Sequence, residues 1–161
     1  MTKRQPHRAL RDAFGQFATG VAVVTARNGQ GGFVGMTVNS FSSVSLDPPL
    51  VLWSLGLESP SRVFFESASY YAINVLAAEQ QELSQRFATP HVDKFNGISW
   101  AEGLGGAPLL PGCAAWFECR STHHYAGGDH VILVAEVERF RAEPKPPLIF
   151  HGGRYRSLSE G

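Results

Sequence analysis

The chain has 161 residues, with 14 Lys plus Arg and 14 Asp plus Glu, so its formal net charge at pH 7 is zero. This balance excludes the global positive field with which many proteins attract nucleic acid or an anionic membrane. The length fits one domain over residues 1–161, with a single sizeable core. Hydrophobic residues make up 43%, with 17 Gly and 10 Pro, which is typical of a globular fold rich in strands and turns.

The longest apolar stretches, such as residues 131–137, are too short to cross a bilayer. Near the N-terminus, Arg4, Arg8 and Asp12 interrupt any apolar run, unlike in a signal peptide. We therefore expect a cytoplasmic protein that binds neither membranes nor nucleic acid.

Leu10, Phe14 and Phe17 recur at helical spacing between a proline and a glycine. This pattern predicts one amphipathic N-terminal helix over about residues 6–19. We expect its apolar face to pack as a lid on the rest of the domain or against a second subunit.

From Gly20 onwards the pattern changes to that of β-strands. Period-2 alternation and turn signals predict strands over 21–27, 33–38, 41–45, 50–55, 70–76, 114–121, 130–141 and 148–151. Short helices are predicted over 61–67 and 78–87, and the stretch 89–112 reads mostly as loop. The two prolines within 46–49 must break the sheet. A mainly β fold, a single closed or nearly closed antiparallel barrel, follows as the simplest way to protect the strand edges.

Cys113 and Cys119 fall in one predicted strand, so they would lie roughly 20 Å apart at about 3.3 Å per residue. A disulfide needs Cα atoms within about 7 Å. The same separation argues against a zinc site shared with His123 and His124, because tetrahedral ligands lie about 2.3 Å from one metal. We expect two buried structural thiols and no metal.

The segment 32–40 offers a candidate ligand surface. Its strand has one apolar face, which we assign to the core: Val34, Met36 and Val38. The opposite face is bare at Gly35 and polar at Thr37 and Asn39, which suits the close approach of a flat heteroaromatic ring. On the pattern alone, a solvated strand face is the simpler explanation, since such faces are common.

A serine-rich corner follows the prolines. Ser59, Ser61 and Arg62 could hold a phosphate at the start of a helix. Ser59-Pro60-Ser61 also reads as an ordinary helix N-cap with proline in the first turn, and the two interpretations are compatible.

Four segments carry a family resemblance in this order: Gly20-Val-Ala-Val-Val-Thr25, Gly35-Met-Thr-Val-Asn-Ser-Phe-Ser-Ser-Val-Ser-Leu-Asp-Pro-Pro-Leu50, Tyr71-Ala-Ile-Asn-Val-Leu76 and Gly128-Asp-His130. Together they resemble the short-chain flavin reductase family, over about residues 10–158. The resemblance implies an antiparallel Greek-key split barrel, homodimeric, that binds FMN or FAD. It also implies that NADH or NADPH reduces the flavin, which then passes to a partner flavin-dependent monooxygenase.

The resemblance also implies a set of cofactor-binding residues: Gly35, Met36, Thr37, Val38, Asn39, Ser40, Trp53, Ser54, Ser59, Ser61, Arg62, Asn74, Phe87 and Tyr155. In the family pattern Thr37, Asn39 and Ser40 would line the isoalloxazine. The residues towards the ribityl phosphate would be Ser54, Ser59, Ser61 and Arg62. Asn74 and Phe87 would close the pocket, and Tyr155 would pack near the flavin or the nicotinamide, or plug the barrel end.

His130 is the candidate catalytic residue. The resemblance implies that the histidine of Gly128-Asp129-His130 faces the nicotinamide. Val131, Leu133 and the other odd-numbered apolar residues up to 137 form one face of the strand, so His130 projects from the opposite face. Without the resemblance, His130 would read as an ordinary strand-start histidine bonded to Asp129 or water.

No Gly-x-Gly-x-x-Gly segment opens a helix, so a Rossmann site for the nicotinamide is excluded. NAD(P)H must then lie in an open groove above the flavin. Two alternatives stay open: a flavin-dependent oxidase or reductase of another substrate, such as a cobalt corrin, on the same barrel, and a non-enzymatic flavin- or haem-binding module.

Overall fold

A computed structural model of the chain describes residues 5–90 and 92–159, which form three α-helices and twelve strands. The helices are α1 (Gln5–Phe14), α2 (Arg62–Ser67) and α3 (Gln81–Ala88), with 3-10 turns at Ala78–Gln80 and Leu104–Gly106. The strands are β1 (Thr19–Gly20), β2 (Ala22–Arg27), β3 (Phe33–Val38), β4 (Ser42–Leu46), β5 (Pro49–Gly56), β6 (Tyr70–Val75), β7 (Ala101–Glu102), β8 (Pro108–Leu109), β9 (Ala115–Gly127), β10 (His130–Ala142), β11 (Ile149–His151) and β12 (Arg154–Arg156).

Seven strands form one antiparallel sheet in the order β3-β2-β6-β9-β10-β5-β4. The sheet wraps around a core, with β3 and β4 as its two edges. Strand β1 pairs with β11, and β11 with β12, in a smaller sheet at one end. The predicted mainly β antiparallel architecture is confirmed.

The barrel core follows from alternation along the central strands. In β5, Val51, Trp53 and Leu55 are buried and the residues between them are half-exposed. Trp53 packs edge-on against Phe65 of α2 and Tyr71 of β6, with ring centroids 5.0 and 5.5 Å apart. Because each large apolar side chain contributes about 1.5–3 kcal/mol when fully buried, this aromatic centre accounts for much of the stability of the barrel.

A second cluster lies under α3. Phe87 and Leu110 are fully buried in it, with Trp116 and Leu148 close to fully buried. This cluster fixes α3 against the edge strand β3, which positions the groove described below.

The N-terminal helix differs from the prediction. It ends at Phe14, where the N–H of Gly15 donates the last helical bond to Arg11 O at 2.8 Å. Glycine is a poor helix former, which explains the early stop. Leu10, Phe14 and Phe17 are exposed by 51, 69 and 80%, so the predicted lid on the barrel is wrong.

The hairpin β9–β10 is longer than predicted. Strand β9 continues to Gly127, six residues past the predicted end at Ser121, because it stays paired with β10 along its whole length. Its final part carries His123, His124 and Tyr125 in succession, which breaks the apolar alternation on which the prediction rested.

The proline corner is tighter than predicted. Strands β4 and β5 form a hairpin in which Leu46 pairs directly with Pro49 across a cis Asp47-Pro48 bond. The predicted loop over 89–112 contains the short pair β7–β8.

The two cysteines are free and buried, as expected for structural thiols. Cys113 precedes β9 rather than lying within it. Burial raises the pKa of Cys113 to about 11 and that of Cys119 to about 12. Among the residues that the structure describes, no helix is long and apolar enough to cross a membrane.

Candidate functional site

The end of β3 opens into a groove beside α3 and the small sheet. Thr37 lines it from β3, Asn39 from just after that strand, Tyr155 from β12, and Ser84 from α3. The groove has a volume of about 210 Å³. The structure therefore brings four of the predicted site residues around one opening: Thr37, Val38, Asn39 and Tyr155.

Hydrogen bonds fix the walls of this groove. Thr37 Oγ1 donates to Ser84 O at 2.6 Å, and the hydroxyls of Ser84 and Tyr155 lie 2.7 Å apart. Ser84 is completely buried and was missed by the sequence analysis. The available signal was its position next to Leu83 and three before Phe87, which puts a hydroxyl on the buried face of α3.

Asn39 lines three grooves. It is exposed, and it also lines a larger groove of about 520 Å³ beneath the end of α1, walled in part by Gly152 and Gly153. Gly20 lines the third and smallest of these grooves, together with Asn39. A Cβ added at any of these three glycines would meet nothing within 4 Å, so the walls leave room for a flat ligand.

Ser40 connects this groove to β5. Its hydroxyl donates to Ser54 O at 3.2 Å and accepts the Ser54 N–H at 2.9 Å. The proton and one of the two lone pairs of the Ser40 hydroxyl are therefore committed to β5. Ser54 lies on the outward face of β5, because Trp53 and Leu55 on either side of it are buried.

The serine-rich corner follows β5 directly. Ser61 is the N-cap of α2, without a side-chain capping bond, and its N–H donates to Ser59 Oγ at 3.3 Å. The Arg62 guanidinium pairs with Glu66 at 2.9 Å and donates to Leu57 O at 3.4 Å. The corner thus combines half-buried hydroxyls and a guanidinium at the end of β5.

His130 lies at the same end of β5. It pairs with Gly56 in the sheet, and a Cβ added at Gly56 would lie 3.9 Å from His130 Nε2. His130 Nδ1 lies 2.7 Å from Asp129 Oδ1, and this bond lowers the pKa of the Asp129 carboxyl. The predicted face is confirmed, because Val131 and Leu133 are buried in the core while His130 is exposed.

Gly35 and Phe87 do not face the groove. A Cβ at Gly35 would lie 2.6 Å from the Phe87 ring and 3.2 Å from that of Phe95. The bare surface predicted for a ligand is filled by these two rings, which meet edge to face with centroids 5.1 Å apart. Lys94 closes the arrangement by donating to Gly35 O and Phe87 O, and burial lowers the pKa of its amine.

Asn74 also differs from the prediction. It is completely buried, where its amide donates to Val23 O at 2.9 Å and Thr25 Oγ1 at 3.1 Å and accepts the Leu110 N–H at 2.9 Å. The side chain joins β2, β6 and the segment after β8, and does not close the pocket.

Trp53, Met36 and Val38 have side chains on the core side of the barrel, and of these three only Val38 also lines the groove. The Trp53 side chain is fully buried in the barrel. The side chains of Met36 and Val38 pack on the same core, as the alternation predicts.

A larger groove, of about 920 Å³, lies elsewhere, between residues 99–112 and the end of β10. None of the predicted site residues lines it. Arg141 lies over the Trp116 ring there at 4.2 Å, and Arg139 pairs with Glu118, so much of its charge is already partnered. We therefore take the groove at Asn39 as the candidate site.

An antiparallel split barrel with an open, glycine-walled groove beside hydroxyl and amide groups defines a class of small ligand-binding barrels. Residues 14–159 match the family described as flavin reductase like domain, so the chain belongs to that family. The predictions of family and split-barrel fold are thereby confirmed.

Similar proteins agree with this assignment. FMN reductase (NADH) SmoA of Agrobacterium fabrum is 47% identical over 94% of this chain and 86% of its own length. The reductase component of the flavin-dependent trigonelline monooxygenase of Acinetobacter baylyi is 45% identical over 92% of this chain, which spans only 48% of that relative. The Streptomyces globisporus NADH:FAD oxidoreductase SgcE6, solved with NAD and FAD fragments, has a TM-score of 0.91 at 38% identity, covering 99% of this chain and 96% of its own. The predicted activity, reduction of FMN or FAD by NADH, is the one named for SmoA and SgcE6.

Proposed function

We propose that this chain reduces FMN or FAD with NADH or NADPH and supplies the reduced flavin to a flavin-dependent monooxygenase. The observation that carries the proposal is the meeting of Thr37, Asn39 and Tyr155 at one open groove, in a chain that matches the flavin reductase like domain family over residues 14–159.

The groove suits the isoalloxazine ring. Its edge alternates hydrogen-bond donors and acceptors, and an asparagine amide offers both. Asn39 binds this edge, with Thr37 and Tyr155 beside it, and Ser40 contributes from the start of the next segment. The open walls at Gly20, Gly152 and Gly153 accept the flat ring system.

The serine-rich corner holds the flavin phosphate. Arg62 has five N–H donors. Its bonds to Glu66 and to Leu57 O leave further donors for a phosphate oxygen. Ser59 and Ser61 add hydroxyl groups on the same side. Ser54 lies between this corner and the groove, since its main chain binds Ser40.

His130 positions the nicotinamide. The bound flavin supplies the hydride-accepting chemistry, so no side chain needs to act as nucleophile or general acid. The chain orients the two ligands and excludes water. The bond from His130 to Asp129 fixes the imidazole orientation, which leaves Nε2 directed over Gly56.

Steady-state oxidation of NADH and NADPH in the presence of FMN or FAD, with oxygen as final acceptor, tests the proposal. Wild type should consume reduced nicotinamide in proportion to enzyme. His130→Ala should raise KM for NADH or lower kcat with little change in flavin affinity. His124→Ala, another exposed histidine of the hairpin, is the matched control. Unchanged kinetics of His130→Ala with a lower melting temperature would assign His130 a structural role.

We further propose a homodimer. Leu10, Phe14 and Phe17 at the end of α1 present exposed apolar surface that a second subunit would cover. Light scattering of wild type should give twice the chain mass, and Phe14→Ser should shift the equilibrium towards monomer. A wild-type monomer at micromolar concentration would refute this proposal.

A further inference from the structure

The outer half of the β9–β10 hairpin, residues 122–130, carries aromatic side chains that lie outside the core. His123, Tyr125 and His130 are all exposed, Tyr125 by 53%. Exposing a tyrosine side chain to water costs little free energy, and its ring offers a large flat surface for stacking.

Strand register places these side chains on one face. His123 pairs with Val134, Tyr125 with Ile132, and Gly127 with His130. Directly paired residues of antiparallel strands point to the same side of a sheet. Tyr125 is therefore the diagonal neighbour of His130, at about 7–8 Å between Cα atoms.

The rings of His123 and Tyr125 are already aligned. Their centroids lie 5.7 Å apart and their planes differ by 8°. We call these two residues the His123–Tyr125 pair. A third ring can extend such a parallel arrangement by stacking on its exposed side.

Next to the pair, the sheet positions beside His130 carry no side chains of their own. Its sheet neighbours are glycines on both sides, Gly56 of β5 and Gly127 of β9. A Cβ at Gly56 would meet only His130 Nε2, at 3.9 Å. A Cβ at Gly127 would lie 3.3 Å from Ile132 Cγ1, so the Ile132 side chain covers this glycine between His130 and Tyr125. A ligand at His130 therefore has open space over Gly56 and reaches Tyr125 across the apolar Ile132 side chain.

From this geometry we infer that the His123–Tyr125 pair stacks the adenine ring of a dinucleotide whose reactive end lies near His130. The inference rests on the proposed function and adds to it a site for the non-reacting half of the ligand. Both NADH and FAD carry an adenine, so the shared chemistry is the purine ring. FMN and reduced nicotinamide mononucleotide lack it, which makes them matched probes.

The test compares Tyr125→Ala with wild type in four measurements: the Kd of FAD and of FMN by flavin fluorescence, and KM for NADH and for reduced nicotinamide mononucleotide. Base–aromatic stacking contributes about 1–3 kcal/mol per base, so a loss on the order of tenfold is expected for the adenine-bearing ligand. Weaker binding of FAD with unchanged binding of FMN would show that the pair stacks the adenine of FAD. A raised KM for NADH with an unchanged KM for reduced nicotinamide mononucleotide would show that the pair stacks the adenine of NADH.

Two control variants sharpen the outcome. Tyr125→Trp keeps a stacking ring and should restore the affinity, whereas Phe140→Ala removes an exposed aromatic residue at the other end of β10 and should change nothing. Equal effects on ligands with and without adenine, or no effect in a folded variant, would overturn the inference. A change in oligomeric state with unchanged nucleotide binding would also overturn it, by assigning the pair to a subunit interface. Failure of wild type to oxidise NADH would refute the proposed function, while the two flavin affinities would still test the pair.

Discussion

Two asparagines that the sequence analysis assigns to the cofactor site, Asn39 and Asn74, should respond in opposite ways to replacement by alanine. Asn74→Ala removes three buried hydrogen bonds, each of which contributes about 1 kcal/mol net. Part of this loss comes from the buried Leu110 N–H, which is left without a partner. We expect a total loss of about 3 kcal/mol in the free energy of unfolding. For a chain of this length that corresponds to a fall of about 6–12 °C in Tm.

Asn39→Ala should leave stability nearly unchanged, because surface substitutions stay within about 0.5 kcal/mol. It should weaken flavin binding by about fivefold, the equivalent of one hydrogen bond of about 1 kcal/mol. The assay is a thermal melt of each ligand-free variant, followed by flavin titration of the folded protein at a temperature well below both midpoints. Weaker flavin binding by a fully stable Asn74→Ala, or unchanged flavin affinity in Asn39→Ala, would refute the reasoning.

Three further variants test the packing and the buried groups. Gly35→Ala should lower the free energy of unfolding by about 1–3 kcal/mol in denaturant titrations, because its Cβ would lie 2.6 Å from the Phe87 ring; Gly20→Ala, with open space around it, is the control. Tyr71→Phe should leave stability equal or higher in the same titrations, since the Tyr71 hydroxyl is buried with no hydrogen-bond partner among the described residues. The Cys119 thiol keeps its proton in the folded state up to a pKa of about 12 but loses it near 9 when unfolded, so stability should fall as pH rises above 9, by about 1.4 kcal/mol per pH unit. Cys119→Ala should show a smaller loss in denaturant titrations between pH 9 and 11, and an equal loss would contradict this assignment.

The sequence predicts the barrel well where alternation is clean. Val51, Trp53 and Leu55 are separated by half-exposed residues, and this period of two identifies both the strand and its buried face. The pattern fails where a strand carries no apolar residues to alternate, as in the end of β9 at His123 and Tyr125. Pairing with β10 across the hairpin turn holds that segment in the sheet, and this pairing leaves no period-2 apolar signal in the residues of β9 themselves.

The candidate site was predictable only in part, for the same reason. Thr37 and Asn39 follow from the polar face at the end of β3. Asn74 has the residue type of a ligand contact, but its acceptor and donor partners lie 36 to 51 residues away along the chain. A single sequence does not show that those partners saturate the amide, and it does not show that Phe87 covers Gly35.

The central claim, that this chain transfers a hydride from a reduced nicotinamide to a flavin, is tested most directly by anaerobic single-turnover reduction. Protein loaded with FMN or FAD is mixed with excess NADH or NADPH in a stopped-flow instrument, and the visible absorbance of oxidised flavin is followed. The account predicts loss of that absorbance at a rate that saturates with nicotinamide concentration and far exceeds the rate for free flavin. Flavin that stays oxidised on the protein with both donors, while dithionite reduces it fully, would contradict the account.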